Sequence, residues 1–374
     1  MSENLSKWLT LNKIPDLGNR GVKKLWDHFG SIDAIWEARR DKICDTGISE
    51  KIASLILDAR EIPFKEVSFS EEIKVSTLDD KDYPKNLKNI FDPPSILYQS
   101  SCLLPKDEKA IAIVGTRRAT HYGKKVAKDL ARELASLGLT IISGMALGID
   151  TAAHEGALEA SGRTIAVLGC GVDVPYPPSN KGLMERIKQS GAIVSEFPPG
   201  EEPDNWKFPA RNRIISGLTL GTIVIEGGYK SGAMITAKLA LDQGREVFAV
   251  PGNIESELSR GPHWLIKQGA KLVEGVEDVL EELNMVMPKK MSNDQCFAQK
   301  CFSTMCQMSN ECINVAELSN EEQKIVSVLS LEPRHIDSIT IETEFSTQQV
   351  LSLLMMLEVK KVIRQLPGKM YILN

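Results

Sequence analysis

The stretch AIAIVGTRRATHYG, residues Ala110–Gly123, decides the fold of this chain because it joins a short apolar run to a glycine and then to a helical pattern. The apolar run is β-branched and short, which is typical of a buried parallel strand. Gly115 allows a sharp turn at the end of that strand. Apolar residues then recur from Val126 to Leu134 at helical spacing, so a helix that starts near Tyr122 can lay one face on a sheet. The stretch therefore predicts a strand, a loop and a helix.

The loop at the start of this helix has the chemistry of an anion site. The unpaired N–H groups and the positive dipole end of a helix favour negative charge. Thr116, Arg117 and Arg118 add a hydroxyl and two guanidinium groups there, and Lys109–Lys128 contains six Lys or Arg and no acid in a chain of net charge −5. We interpret the loop as a phosphate-binding element. Charge alone leaves a solvated charged face as an open alternative.

Composition limits the class of protein. With 374 residues and 42% hydrophobic content, the chain can bury a large core in about two or three domains. It has neither an apolar run of the roughly 18 residues that a membrane span needs nor a signal-peptide core at its start, so we expect a cytosolic protein with no membrane contact. A pI near 5.7 argues against a protein that coats nucleic acid non-specifically, so any DNA contact must use local basic patches.

Short apolar runs alternate with helical patterns through the middle of the chain. Such alternation predicts an α/β fold with a doubly wound parallel sheet, whose ligand crevice lies at the carboxyl ends of the strands. Glycine-rich segments follow the strands, including GTRR, SGMALGID, GCG, EGGYKSG and VPGN, so backbone N–H groups should line the crevice. The further predicted strands are Thr140–Ser143, Thr164–Leu168, Ala192–Ser195, Thr222–Ile225 and Glu246–Val250.

Fingerprints of cofactors and catalysis are missing from these loops. The segment Gly115–Gly123 lacks G-x-G-x-x-G, no P-loop motif is present, and no acid is placed for a ribose, so we expect no nucleotide cofactor. The histidines, His154 among them, are scattered, and a lone histidine is more often a structural hydrogen bonder than a metal ligand. Cys170 lies between two glycines with no histidine nearby in sequence, and we interpret it as a small loop residue. We therefore assign no catalytic residue and no metal site.

Two later segments add cations and amides to the same crevice. FPARNRIISG supplies an Arg-Asn-Arg triplet, and EGGYKSGAMITA supplies Lys, Ser and Gly immediately before a predicted helix. Cations beside glycine loops, with an aromatic residue nearby, suit single-stranded nucleic acid. The alternative is that Arg211 and Arg213 pair with Glu196 or Glu226 to hold the loops. The predicted contacts are Gly115, Thr116, Arg117, Arg118, Arg211, Asn212, Arg213, Lys230, Ser231 and Gly232.

Smaller domains flank this sheet, which we place at residues 71–285. Residues 1–70 predict a helical domain in which Ile14–Gly30 and Ile43–Ile56 are helix pairs with glycine turns. Such pairs resemble helix-hairpin-helix (SAM-like) modules, whose turns can hold a DNA phosphate. No basic stripe accompanies these turns, so we favour a packing or docking role over DNA binding.

The carboxyl-terminal part predicts a linker and a winged helix. Residues 286–315 are polar and read as a linker, and residues 316–374 predict three helices followed by two strands. The cysteine spacing in the linker is wider than in zinc knuckles, so we favour a reduced linker over a metal site. Glu317–Asn374 has eight acids and six bases, so we favour protein docking or regulation over major-groove binding. The four linker cysteines are Cys296, Cys301, Cys306 and Cys312.

Four motifs, in their order and spacing, resemble the DNA-processing protein A family, also called Smf: SGMALGIDTAAHEGAL, FPARNRIISGLTLG, EGGYKSGAMITA and VPGN followed by GPHWLIKQGA. The resemblance covers about residues 80–283. It implies an extended Rossmann-like domain that binds single-stranded DNA, forms a homodimer, protects incoming strands and helps to load the RecA recombinase in natural transformation, without enzymatic activity. Many relatives have Arg or Lys where Leu147 stands, so the resemblance implies weaker binding here or a larger share for Arg117 and Lys230.

An enzyme on a related scaffold is the alternative. Nucleoside-monophosphate phosphoribohydrolases of the lysine-decarboxylase-like group resemble this chain in the late glycine loop, where they carry P-G-G-x-G-T-x-x-E. This chain has Glu226-Gly-Gly-Tyr-Lys-Ser-Gly, with Met234 and Ile235 after the loop and no catalytic Glu there. The sequence therefore favours DNA binding over nucleotide hydrolysis.

Overall fold

The structure is a computed structural model, and it describes residues 3–62, 69–70, 72–285, 319–329, 334–343, 345–360, 362–366 and 370–373. The chain divides into two compact units, Met1–Pro288 and Lys289–Asn374. The predicted linker and its four cysteines lie outside the described residues. The predicted domain borders at residues 70, 285 and 315 stay predictions.

The first unit combines a helical amino-terminal part with one large sheet and its covering helices. Its strands are β1 (Ile73–Thr77), β2 (Ile96–Ser100), β3 (Ala110–Val114), β4 (Thr140–Ser143), β5 (Thr164–Val167), β6 (Ala192–Ser195), β7 (Gly221–Val224), β8 (Glu246–Ala249) and β9 (Lys271–Leu272). Its helices are α1 (Glu3–Asn12), α2 (Gly18–Phe29), α3 (Ile32–Glu37), α4 (Arg40–Asp45), α5 (Glu50–Arg60), α6 (Lys85–Lys88), α7 (His121–Ser136), α8 (Ile149–Glu159), α9 (Lys181–Ser190), α10 (Lys207–Gly217), α11 (Gly232–Asp242), α12 (Arg260–Lys267) and α13 (Val276–Glu282).

The sheet has the strand order β1-β2-β6-β5-β4-β3-β7-β8-β9. The strands from β3 to β9 pair in parallel, while β1 and β2 add an antiparallel edge beside β6. The predicted doubly wound α/β sheet is confirmed. The antiparallel edge was not predicted, because β1 is a polar, partly buried strand without a continuous apolar run. The strand order reverses at β3, which is where such sheets bind ligands.

Strand β3 is buried on both sides, as its apolar run predicts. Ala110, Ala112 and Val114 belong to one hydrophobic cluster, and Ile111 and Ile113 belong to the cluster on the other side of the sheet. This division follows from the two-residue repeat of a strand, which sends successive side chains to opposite faces. Burial on both faces fixes β3 at the centre of the sheet and therefore fixes the loop that follows it.

The amino-terminal helices α1 to α5 pack on the antiparallel edge and share its hydrophobic cluster. Asp79 joins the two parts, because its carboxylate accepts a hydrogen bond from Trp26 Nε1 at 2.7 Å and another from the backbone N–H of Ile32 at 2.9 Å. The helical part is therefore docked on the sheet through both apolar and polar contacts.

The second unit is a winged helix, as predicted. Its third helix begins after Ser346, whose hydroxyl accepts a hydrogen bond from the N–H of Gln349. Among the described residues of both units, no helix has the length and apolar character that crossing a membrane requires. The elements are α14 (Asn320–Val328), β10 (Arg334–His335), α15 (Ile336–Thr343), α16 (Thr347–Val359), β11 (Ile363–Leu366) and β12 (Met370–Leu373), with the strand order β10-β12-β11.

Candidate nucleic-acid interface

The loops after β3 and β7 lie side by side because these strands are neighbours in the sheet. The backbone N–H of Thr116 donates to the carbonyl oxygen of Glu226 at 2.8 Å. The Glu226 carboxylate, which is buried, accepts the N–H of Thr120 at 2.9 Å and the Thr120 hydroxyl at 2.5 Å. A Cβ at Gly123 would collide with the same carboxylate. Glu226 therefore holds the loop before α7 through Thr120. Among the described residues it forms no ion pair with the cations of that loop, Arg117 and Arg118.

A cavity of about 470 Å³ opens at the carboxyl ends of the strands, between these loops and helix α10. Two predicted residues, Arg213 and Lys230, are not among its lining residues. The structure thus brings together residues from three separate segments of the chain. The predicted residues that do line the cavity are Gly115, Thr116, Arg117, Arg118, Arg211, Asn212, Ser231 and Gly232.

Arg211 forms part of the cavity wall and is almost entirely buried. One Nη donates to the carbonyl oxygen of Val167, the guanidinium lies where a Cβ at Gly144 would be, and Nε has no partner among the described residues. The pKa of Arg211 is lowered to about 10, chiefly by burial, while nearby Asp150 opposes this shift and Arg117 adds to it. Arg211 still carries its charge at neutral pH, and an anion in the cavity would compensate part of its lost hydration.

Arg117 begins a stack of flat groups at the edge of the cavity. Its guanidinium carbon lies 5.0 Å from the centre of the Phe208 ring, and the Phe208 ring stacks on Tyr176 at 5.3 Å between centroids with 27° between planes. Arg118 and Trp206 nearby are exposed. Guanidinium and aromatic faces of this kind are surfaces on which nucleobases stack.

The start of helix α11 forms the opposite side of the cavity. Ser231 immediately precedes the helix, and its Oγ has no hydrogen-bond partner among the described residues. The side-chain amide of Asn212 donates to the carbonyl oxygen of Gly232 at 3.4 Å, which ties α10 to α11. Lys230 is exposed in the same loop, next to the cavity but outside its lining. The first N–H groups of α11 and the Ser231 hydroxyl are donors that suit a phosphate oxygen.

Arg213 does not line the cavity, although the sequence predicts it as a DNA contact. Its guanidinium pairs with both carboxylate oxygens of Glu196, at 2.5 and 2.6 Å, and its Nε donates to the carbonyl oxygen of Asp92 at 2.9 Å. The side chains of Arg213 and Glu196 are 7% and 12% exposed. This is the loop-holding pair that the sequence left open as an alternative, and we therefore leave Arg213 out of the proposed DNA contacts. Arg211, by contrast, forms no such pair with Glu196 or Glu226 among its described contacts.

Residues that sequence reasoning did not select complete the site. Phe208 and Asp150 lie in quoted motifs and line this cavity, whereas Tyr176 lines a smaller pocket beside it together with Phe208. Burial raises the pKa of the Cys170 thiol to about 11, so it stays protonated. His154 is fully buried, and its Nδ1 lies 2.7 Å from the Thr164 hydroxyl oxygen. His154 is therefore a structural hydrogen bonder beneath the site.

Comparisons with known proteins match both units. The family model for DNA recombination-mediator protein A matches residues 74–284, and the model for the DprA winged helix domain matches residues 314–369. Protein Smf from Synechocystis sp. is 32% identical over 97% of this chain and 97% of its own length.

Two solved structures are similar to this chain. DNA processing protein A from Streptococcus pneumoniae is 36% identical, with a TM-score of 0.65 over 75% of this chain and 99% of that one. A structure from Helicobacter pylori, whose description concerns the single-stranded DNA binding mode of DNA processing protein A, is 35% identical with a TM-score of 0.50 over 56% of this chain and 95% of that one.

Proposed function

The chain belongs to the DNA-processing protein A (DprA/Smf) family, and from this premise we propose that it binds single-stranded DNA in the cavity at the carboxyl ends of the strands. The observation that carries the proposal is the convergence of Arg117, Arg211 and the start of helix α11 on one cavity of about 470 Å³. Cations and unpaired N–H groups suit phosphates, and the Arg117–Phe208 stack suits bases.

In this proposal, some residues of the cavity contact the DNA backbone directly and others supply positive charge. Thr116, Arg118, Ser231 and Gly232 hold the backbone of the strand through hydroxyl, guanidinium and backbone N–H groups, and exposed Lys230 extends the cationic path. Arg211 supplies a fixed positive charge in the wall, because its position against Gly144 leaves it little freedom. Contacts of this kind do not depend on base identity, so we expect binding with little sequence preference.

The proposal includes a non-enzymatic role. Three titratable groups near the cavity have structural roles or stay protonated: Glu226 holds the Thr120 loop, Asp150 accepts the backbone N–H of Ala146 at 3.3 Å, and burial keeps the Cys170 thiol protonated. The catalytic Glu that phosphoribohydrolases carry after the late glycine loop is replaced by Met234 in this chain. These features support binding rather than hydrolysis of a nucleotide.

Family membership extends the proposal to partners. As the family name of recombination mediator suggests, the bound strand would be protected and passed to the RecA recombinase, and the protein would act in the cytosol as a homodimer. A mixture of the protein, RecA and an oligonucleotide coated with single-strand-binding protein tests the first part. We expect the protein to shorten the lag before RecA filaments form.

The primary test is a salt titration of binding to a fluorescent single-stranded oligonucleotide and to its duplex. We expect the single strand to bind more tightly. Replacing Arg117 and Lys230 together by Ala should weaken binding and reduce the log–log salt slope by about 1.4, since each neutralised phosphate of a single strand contributes about 0.7.

The matched control replaces Lys106 and Lys109 together by Ala. These exposed lysines precede β3 and therefore lie at the amino end of that strand, away from the cavity at its carboxyl end, so the slope should keep its wild-type value. An unchanged slope in the Arg117 and Lys230 variant would move the binding site elsewhere. No binding by any variant, with turnover of nucleoside monophosphates, would replace the proposal by the enzyme alternative.

A further inference from the structure

The segment Leu17–Gly21, which we call the first hairpin, lies at the start of helix α2 and contacts other parts of the first unit through its side chains. The side-chain amide of Asn19 donates to Glu196 Oε2 at 3.2 Å and accepts the backbone N–H of Ser95 at 3.3 Å. The guanidinium of neighbouring Arg20 lies 4.7 Å from the centre of the Phe91 ring. The side chains of Asn19 and Arg20 are therefore engaged with other parts of the first unit.

Glu196 connects this hairpin to the DNA site. It follows β6 directly, and its carboxylate accepts both Arg213 bonds in addition to the Asn19 amide. One nearly buried carboxylate thus joins a residue of the helical part to a residue of helix α10. A charge-assisted bond to a shielded carboxylate is stronger and better oriented than a bond on the surface.

Arg213 in turn fixes helix α10. It donates to the carbonyl oxygens of Ala210 and Asp92 at 2.7 and 2.9 Å, while its own carbonyl oxygen accepts the side-chain amide of Gln243 at 3.0 Å. Arg211 lies two residues earlier on the same helix, in a cradle where a single added carbon atom would collide with it. A small rotation of α10 would therefore move Arg211 out of its place in the cavity wall.

We propose that Asn19 is a positioning residue for the DNA cavity, acting through Glu196 and Arg213 on the helix that carries Arg211 and Asn212. The first hairpin then serves as a clamp on the binding site, and the helical part raises DNA affinity without touching DNA. Because coupling between two sites is reciprocal, bound single-stranded DNA also stabilises the docked hairpin. This inference rests on the proposed function, since its readout is single-stranded DNA binding.

The test compares two substitutions in the same interface of the full chain. Asn19→Ala removes the bond to Glu196 and the bond from the backbone N–H of Ser95, whereas Asn12→Ala removes the bond that Asn12 Oδ1 accepts from the Ser95 hydroxyl, at 3.0 Å. We expect Asn19→Ala to weaken oligonucleotide binding by about 3- to 10-fold, the effect of one net hydrogen bond, with an unchanged salt slope because no phosphate contact is lost. Asn12→Ala should stay within about twofold of wild type. Asn19→Asp should weaken binding more than Asn19→Ala, because it puts a second carboxylate against Glu196.

Hydrogen exchange on the unmodified protein is the second measurement, and it does not depend on how the variants fold. Saturating oligonucleotide should slow exchange of the backbone amide of Gly21, which donates to the carbonyl oxygen of Leu17 at 3.2 Å, relative to the free protein. Equal losses in Asn19→Ala and Asn12→Ala, an unchanged affinity in Asn19→Ala, a reduced salt slope in that variant, or unchanged exchange would each overturn the inference. If replacing both Arg117 and Lys230 abolishes binding while Asn19→Ala binds normally, only this inference is overturned. A wild-type protein that does not bind the oligonucleotide overturns the proposed function.

Discussion

Replacing His154 by Gln should remove much of the acid sensitivity of the first unit. His154 is fully buried, and its Nδ1 contacts the Thr164 hydroxyl oxygen, which donates in turn to the carbonyl oxygen of Ile141 at 2.8 Å. The pKa of His154 is lowered from 6.5 to about 3, chiefly by burial and also by the nearby positive charge of Arg211. The native protein therefore holds this histidine neutral, while the unfolded chain protonates it in mild acid.

The sign and the size follow from proton linkage. Because the pKa of His154 is lower in the folded state, its contribution is complete above pH 6.5 and is lost as the pH falls from 6.5 toward 3. The slope in that window is about 1.4 kcal/mol per pH unit, so the free energy of unfolding should fall by about 2 kcal/mol between pH 8 and pH 5. The pKa of buried Asp150 is raised, which acts in the opposite direction, but Asp150 is present in both proteins and cancels in the comparison.

Urea unfolding followed by tryptophan fluorescence is the assay. All five tryptophans lie between Trp8 and Trp264, so the signal reports the first unit alone. Wild type should lose about 2 kcal/mol more than His154→Gln between pH 8 and pH 5. His28→Gln, which replaces an exposed histidine, is the matched control and should keep the wild-type dependence. Equal pH dependence in wild type and His154→Gln would refute the assignment of a buried neutral imidazole.

Three further substitutions test other parts of the site. Gly144→Ala puts a Cβ where the Arg211 guanidinium lies, so fluorescence anisotropy should show single-stranded DNA binding about 10-fold weaker, and an unchanged affinity would mean that Arg211 makes no contribution. Glu226→Ala leaves the N–H and hydroxyl of Thr120 without their acceptor, and urea unfolding should show a loss of about 1–3 kcal/mol, with a smaller loss for Glu226→Gln. Arg213→Leu strands a buried carboxylate and should cost about 3–5 kcal/mol in the same assay, so a loss within experimental error would contradict the described pair.

Local pattern was sufficient for most of the elements. The apolar run at Ala110–Val114, the glycine after it and the helical spacing from Val126 predict the central strand, loop and helix, because burial on both faces of a parallel strand leaves a continuous apolar signature. The polar strand Ile73–Thr77 has no such signature, since an edge strand is only partly buried, and the sequence therefore does not predict it.

The sequence by itself determined that cations, hydroxyls and glycine-rich turns follow several strands of one parallel sheet. That was enough to predict a shared crevice, because the carboxyl ends of parallel strands lie at one edge. Only the tertiary structure decided which arginine of the Arg211–Arg213 triplet meets the cavity. The two side chains are equal in charge and two residues apart, and their roles differ because Glu196, brought from the end of another strand, takes one of them. Which arginine forms the ion pair depends on which distant segment folds against it. The local sequence around the two arginines does not encode that choice.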